Sequence, residues 1–460
     1  MQARSADLSE MQSKLIPWLQ KQMSKATNLS ISNMERSGAG FSNETFLFNL
    51  NWQEGKKSKS EGMVLRCPPT SYPIFPKYEL GKQFRIMQIL GKTDIPVPKV
   101  HWLQENKELL GTPFYIMGRL EGVVPPEYPP YHSFGVYFDA TPAQRSKMWW
   151  GSLDAIARIN MLEWKKLGFS FLGVPKNAAD AIDRQVDYME SYLNWAKDTP
   201  EESHPILEAA LKWLKENRYE AERIALCWGD PRIPNTMYNS KTFDVVAILD
   251  WEMAFLGDPE ADLAWFLFLD WQHTEGYGIP KLEGTPGKEE TVQRYEELTG
   301  YKARNLFYNE VRTAVYFGII MMKIFKNFKK MGVTIPATDD ELNNVGTRRL
   351  ATLLNLPSPG PGARQVTKVE EVAVTVQFRL TGPGGCEWYL LCDRGQAKRY
   401  EGCTDNPTCT LIISAEDWAA IQRGELERSQ AWMSGKLKIE GDMTMLLQLE
   451  ETISKFTHPG

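Results

Sequence analysis

The stretch CWGDPRIPNTMY, Cys227–Tyr238, can form neither a helix nor an inner strand. Pro231 and Pro234 each remove a backbone donor and push the preceding residue toward an extended conformation, so a stiff loop is predicted. Directly after the apolar run IALCW, this loop carries Asp230, Arg232 and Asn235 within six residues. The next apolar run, Val245, Val246, Ile248 and Leu249, is predicted as a strand that delivers Asp250 twenty residues after Asp230. An aspartate in a turn is by itself more often a cap than a base, but the spacing to Asn235 and Asp250 changes that balance. Together the three form the acceptor set that nucleotide-dependent phosphoryl transfer needs. One carboxylate takes or orients an attacking hydroxyl, while the other carboxylate and the amide oxygen offer hard ligands to magnesium. The prolines then act as stiffeners, since a displaced base costs rate.

Working outward, residues 29–120 are predicted to be a strand-rich lobe with one helix. Phe46, Phe48 and Leu50 alternate with Leu47, Asn49 and Asn51 at strand period, after a small-residue turn Ser37-Gly38-Ala39-Gly40. GMVLRCPP is a short strand ending near Arg66, and TPFYIMGRLEG is another. Between them, Phe84, Met87 and Leu90 recur at helical spacing before Gly91. From 141 the periodicity turns helical. TPAQ opens with Thr141 as cap and Gln144 reaching back, Trp149, Leu153 and Ile156 share a face, and further helices are predicted at 180–197, 204–219, 287–300 and 305–329. Asp258 and Asp262 are expected to cap the helix beginning there and to brace the loop. His101 and His132 have no partner motif. A strand-rich lobe followed by a helical one offers a cleft for a ligand.

Composition bounds the function. With 460 residues, 42% hydrophobic and 24% charged, the chain is ordinary globular material, long enough for two or three domains. A net charge of −5 gives no cation excess to neutralise phosphates, so no nucleic-acid partner is expected. The N-terminus lacks the apolar core of a secretory signal, and no run of about 18 apolar residues occurs, so no integral membrane segment and a cytoplasmic location are expected. The six cysteines, at 67, 227, 386, 392, 403 and 409, include no CxxC pair and are expected to be reduced thiols.

GDPRIPNTMY followed by ILDWEMAFLGDPEADLAW resembles the catalytic and metal loops of the aminoglycoside phosphotransferase-like kinases, a branch of the protein-kinase fold. The likeness is greatest to the kinase-like domains found beside some acyl-CoA dehydrogenases. SGAGFSNETFLF, VLRCPP, DIPVPKV and GTPFYIMGRLEG resemble the same family's phosphate loop, third strand, helix end and interlobe hinge, in the same order. The resemblance implies an α+β, bilobal fold over roughly 29–345, with ATP and Mg2+ as cofactors. It makes Asp230 the catalytic base and Asn235 and Asp250 the metal ligands. Arg66 becomes the cation on the nucleotide phosphates, and Gly38, Gly40, Ser42 and Asn43 fall in the phosphate loop. The backbone around Met117 would hold adenine, and Arg232 would neutralise charge near Asp230. Two positions depart from the pattern. Trp228 stands where a histidine usually opens the catalytic loop, and Gln83 stands where a carboxylate usually pairs with the cation, leaving Glu79 as a replacement.

The linker NLPSPGPGA, residues 355–363, has three prolines and two glycines, a density that neither helix nor sheet tolerates. The predicted organisation is therefore an N-terminal helical extension at 1–28, an N-lobe at 29–120, a helical lobe at 121–354, a linker at 355–365 and a final domain at 366–460. In that domain EVAVTVQFRL alternates at period two, GCEWYLLCDRGQAKRYEG is a hairpin, and CTLIISAEDWAAIQRGELE is a strand running into a helix capped at Ser414. A further strand and an amphipathic helix follow, with Trp418, Met433, Leu437, Met443, Met445, Leu446 and Leu449 as large apolar residues. The run through Gly435-Lys436-Leu437-Lys438-Ile439-Glu440-Gly441-Asp442 resembles the sterol-carrier-protein-2 family. That resemblance implies a small α/β domain with a lipid or acyl ligand.

The combination points to a phosphotransferase acting on the hydroxyl of a small apolar molecule, a hydroxylated acyl chain or sterol-like compound. A catalytically silent kinase fold serving as a lipid-binding scaffold and an aminoglycoside-type phosphotransferase are the alternatives. Gln83 and Trp228 favour the silent fold; the complete Asp230, Asn235 and Asp250 set speaks against it.

Overall fold

A computed structural model gives the fold. It describes residues 3–37, 42–331, 339–357, 374–393, 396–405 and 407–423, with 426, 431 and 436–441. Gly38 and Gly40, most of the linker, Met433, Met443, Met445, Leu446, Leu449 and the final helix lie outside the described residues.

The first lobe consists of α1 (Ala3–Gln22), β1 (Thr27–Arg36), β2 (Glu44–Glu54), β3 (Lys57–Cys67), α2 (Leu80–Leu90), β4 (Val100–Gln104) and β5 (Phe114–Gly118). The strands form one antiparallel sheet in the order β1-β2-β3-β5-β4. Strand period divides the side chains between two cores. Phe46, Phe48, Leu50, Met63, Leu65, Phe114 and Ile116 pack on one face with Leu15 and Leu19 of α1. Val64, Tyr115 and Met117 point the other way, onto Ile86, Met87 and Leu90 of α2. The helix at the N-terminus thus fills the back of the sheet. Arg66 shares the parity of Val64 and faces the α2 side. β4 has no counterpart in the sequence reading. Pro96 and Pro98 precede it, and all five of its residues are half-buried, so neither an alternation nor an apolar run announces it.

The helical lobe contains α3 (Gly135–Asp139), α4 (Pro142–Asn160), α5 (Trp164–Leu167), α6 (Ala178–Ala196) and α7 (Pro205–Glu216). Four short strands follow, β6 (Ala225–Cys227), β7 (Thr236–Tyr238), β8 (Val245–Ile248) and β9 (Phe255–Gly257). The lobe ends with α8 (Glu260–His273), α9 (Lys288–Thr299), α10 (Leu306–Lys330) and α11 (Val345–Leu353). The capping box at Thr141 and Gln144 forms as expected, and Trp149, Leu153 and Ile156 are completely buried. α10 runs through the second core, where Val311, Ala314, Val315, Ile319 and Met322 meet α6, α7 and α8. Among the described residues no helix is long and apolar enough to cross a membrane.

The last domain has a core of its own. Strands β10 (Val374–Thr381), β11 (Glu387–Asp393), β12 (Gln396–Glu401), β13 (Cys409–Ser414) and β14 (Lys438–Gly441) form a sheet in the order β12-β11-β10-β13-β14. β11 and β12 are the predicted hairpin, while β10 and β13 pair in parallel. Helix α12 (Ala415–Gln422) starts at Ser414, whose Oγ accepts the Asp417 N–H at 3.0 Å. Its Trp418 closes on the stacked rings of Phe378 and Trp388, 3.8 Å apart.

Candidate active site

The loop between β6 and β7 is held at both ends, since β6 pairs with β9 and β7 with β8. Its entry needs a glycine. Gly229 has φ of +91°, and a Cβ there would lie 2.2 Å from the Met253 carbonyl oxygen. Asp262, in the first turn of α8, accepts the backbone N–H of Trp228 at 2.8 Å and of Gly229 at 2.9 Å, and also the Asn160 amide at 2.9 Å. This is the bracing expected of it; the N-cap position is Pro259 with no side-chain cap, and Asp258 just before it accepts the Glu260 N–H at 3.1 Å. Trp228 is fully buried and its indole N–H donates to the carbonyls of Leu249 and Asp250 at 2.9 and 3.0 Å. Trp228 therefore ties this loop to the loop after β8.

Asp230 is buried and completely engaged. Its Oδ1 accepts the Trp265 indole N–H at 2.7 Å and its Oδ2 the Asn235 amide at 2.7 Å. Arg232 places Nε 3.1 Å from the same Oδ2, without hydrogen-bond alignment, and forms an ion pair with Glu127. Burial pushes the Asp230 carboxyl up to about 7, helped by the charges of Asp250 and Glu127 and opposed by Arg232 and the Trp265 bond. A base with its pKa near neutrality can both accept and release a proton at physiological pH.

On the other side of the cleft, both terminal nitrogens of Arg66 donate to Oδ1 of Asp250 at 3.0 Å. Burial opposes the guanidinium charge, but Asp250, Tyr115 and Glu252 together outweigh it and hold the pKa above the ordinary value. Asp250 itself sits at φ of +60°, a left-handed conformation that aspartate tolerates. Asn43 donates to Glu252 at 2.6 Å, and Ser42 also bonds that carboxyl. Glu252 is raised by burial and by Asp250 to about 8. Gln83 is buried with its Oε1 accepting the Tyr115 hydroxyl at 3.3 Å, and its Nε2 has no hydrogen-bond partner among the described residues. Glu79 is exposed at the start of α2, and the carboxylate on Arg66 is Asp250. Met117 lies buried in β5, paired with Val64 and Val100, just before the chain leaves the sheet.

The structure thus brings Ser42, Asn43, Arg66, Asp230, Arg232, Asn235 and Asp250 around one cleft, and leaves Glu79 outside it. Sequence reasoning missed Glu252, Trp265 and Glu127. Two of these had a signal. Glu252 lies two residues after Asp250 with the buried Trp251 between, and Trp265 follows Asp262 by three on one face of α8. Glu127 had none, being more than a hundred residues from Arg232. His132 is also better connected than expected. Its Nε2 lies 2.9 Å from Asp270, a buried carboxylate that takes the Tyr131 hydroxyl and Lys281 as well, each at 2.8 Å. Beside it His273 is fully buried, pushed down to about 3 by burial and then by Arg232 and His132.

Such a molecule, with a five-stranded antiparallel lobe facing a helical lobe whose loops present Asp230, Asn235 and Asp250, is a bilobal kinase-like protein. The chain belongs to the phosphotransferase enzyme family, whose model matches residues 34–301, and residues 362–454 match the SCP-2 sterol transfer family. Among curated proteins, mouse acyl-CoA dehydrogenase family member 10 is 29% identical over 205 residues, covering 44% of this chain and 18% of that protein. Human acyl-CoA dehydrogenase family member 11 is 26% identical over 278 residues, covering 55% and 33%. The chain therefore spans a third or less of these relatives. A Ralstonia eutropha protein assigned as an aminoglycoside phosphotransferase has the same fold, with a TM-score of 0.54 at 22% identity over 74% of this chain and 95% of that one.

Proposed function

We propose that the protein transfers the γ-phosphoryl group of ATP, with Mg2+, to a hydroxyl of a small apolar molecule such as a hydroxylated acyl chain or a sterol-like compound. The observation that carries the reading is Asp230: a buried carboxylate near neutrality, held by Trp265 and Asn235 and flanked by Arg232. Asp230 accepts the acceptor's proton as the hydroxyl oxygen forms its bond to phosphorus and ADP leaves. Arg232 offsets the charge that collects beside it. The metal fits the residues present, because Asn235 and Asp250 supply oxygens and the Asn43 Oδ1 is buried without a partner among the described residues. When bound, Mg2+ held by Asn235 and Asp250 would supply positive charge to neutralise the nucleotide phosphates. Arg66 would exchange Asp250 for a phosphate.

The apolar acceptor is supported by an aromatic path. The Trp265 ring meets Tyr316 edge-on at 5.6 Å, Tyr316 meets Tyr188 at 5.8 Å, and Tyr188 is 40% exposed. These packed rings form an apolar layer that runs from the surface at Tyr188 to the indole that holds Asp230. The SCP-2 match, and relatives named for acyl-CoA dehydrogenation, point toward the same chemistry.

Calorimetry with ATP, with and without Mg2+, on the natural chain and Asp250→Ala tests the nucleotide site. Magnesium-dependent binding lost in the variant is expected, followed by ADP release with a hydroxylated acyl or steroid panel. No binding in either protein would return the molecule to the scaffold reading that Gln83 suggests.

A further inference from the structure

Between Arg66 and α2 the chain does not turn back directly but runs out through PPTSYPIFPKYE, residues 68–79. Four prolines, at 68, 69, 73 and 76, limit its freedom before folding and so lower the entropy lost in fixing it. Its start is pinned to the sheet, where Thr70 donates through its N–H and hydroxyl to Glu44 at 3.2 and 2.9 Å. Its middle belongs to the other lobe. Ile74 and Phe75 are buried in the core of α6, α7, α8 and α10, and Phe75 lies 6.0 Å from the Tyr192 ring. The Tyr192 hydroxyl donates to the Ile74 carbonyl, and the Asn327 amide to the carbonyls of Tyr72 and Pro73 at 2.9 and 3.2 Å. Tyr78 folds back and accepts the N–H groups of Ile74 and Phe75 at 3.0 and 3.3 Å. The segment then enters α2, on which Gln83 takes the place of a charged partner for Arg66.

We propose that residues 68–79 are an interlobe strap that positions Arg66 and α2 from the helical lobe. The job assigned by family resemblance to a carboxylate at position 83 is done instead by covalent continuity and four anchors: Phe75, Tyr78, Tyr192 and Asn327. Cys67 ends β3 one residue after Arg66, and Leu80 begins α2 three residues before Gln83, so the strap joins the two elements such an ion pair would join. Tyr192 and Asn327 are positioning residues, acting through the strap. Their importance for nucleotide binding rests on the phosphotransferase reading; their control of α2 does not.

Two measurements on Tyr192→Phe and on the double variant Tyr192→Phe/Asn327→Ala separate the two. Amide hydrogen exchange across 80–90 should accelerate about fivefold in the single variant and more in the double, as each removes a donor to the strap's carbonyls. The Kd for Mg2+-ATP should rise by a similar factor, with turnover at saturation little changed. Tyr308→Phe is the control, deleting a hydroxyl that donates to the Leu214 carbonyl from the same helix as Asn327 but away from the strap. It should leave both readouts alone. The proposal is overturned if exchange in α2 stays at the natural rate in both strap variants, or if the control moves it equally. Accelerated exchange in a chain that binds no ATP would sustain the strap and sink the phosphotransferase reading instead. Tyr192→Phe keeps the ring and its packing, so the test survives if the double variant does not fold.

Discussion

At Asp230 the chemistry and the stability of the protein are in opposition. Burial disfavours its ionised form and that of Glu252, raising them from 3.8 and 4.5 to about 7 and about 8. In the unfolded chain both lose their protons above their ordinary values, while the folded protein keeps them until the raised ones. The folded state therefore holds more protons throughout that interval, and stability of the ligand-free protein should fall as pH rises from about 4 to about 8. Denaturant titrations at several pH values check this; a flat profile would contradict it. Because Mg2+ favours the ionised carboxylates, ATP binding near pH 7 should release protons, visible as a buffer-dependent heat. Asp230→Asn should cut turnover by about 10²–10⁴-fold while leaving Mg2+-ATP binding near its natural strength and flattening the pH profile of stability. Gly229→Ala should lose both activity and stability, since its Cβ would enter the Met253 carbonyl.

At the scale of elements, α8 organises the site. Asp262 and Trp265 project from it one turn apart, one holding the backbone of the loop between β6 and β7 and the other the Asp230 carboxylate on it. Asp262→Ala would leave the Trp228 and Gly229 N–H groups buried without partners, at a cost of about 1–3 kcal/mol each. A lower melting temperature and a larger fractional loss of turnover than of ATP affinity are expected. Asp262→Asn, which retains one acceptor, should fall between. Most of these elements were legible because their periodicity is strong: the alternation in β2, the caps of α4 and α12, and the apolar run of β8 before Asp250. The site was legible only where its residues sit close in sequence. Asp230, Asn235 and Asp250 declare themselves by spacing, whereas Glu127 reaches Arg232 from a distant loop, and β4 is too evenly half-buried to carry a pattern. The partner of Arg66 was hidden for another reason: Asp250 was assigned to a metal, and its direct pairing with the cation depends on lobe geometry that no local pattern encodes.

For the molecule as a whole, two families share one chain. The C-terminal domain buries Phe378, Trp388 and Trp418 in a separate core, so a chain ending at residue 357 should still bind Mg2+-ATP. If residues 366–460 retain an apolar substrate near the cleft, removing them should raise the apparent KM for a hydroxylated acyl acceptor about tenfold while leaving the KM for ATP unchanged. Equal KM values for the acceptor in both chains would assign the C-terminal domain a separate task.

The tryptophans at the centre of the helical lobe have a use beyond holding loops together. The Trp265 indole hydrogen points at Asp230, and the Trp228 indole hydrogen is shared between two carbonyls at the end of β8. In a sample labelled with nitrogen-15 at its indoles, these two protons would resonate apart from the crowded backbone region. The Trp265 signal would then move with pH through the titration of its neighbour, and the Trp228 signal would move when the loop at Asp250 rearranges. The protein thus carries two magnetic reporters, one for the Asp230 carboxyl and one for the loop at Asp250, that can be followed without altering a residue.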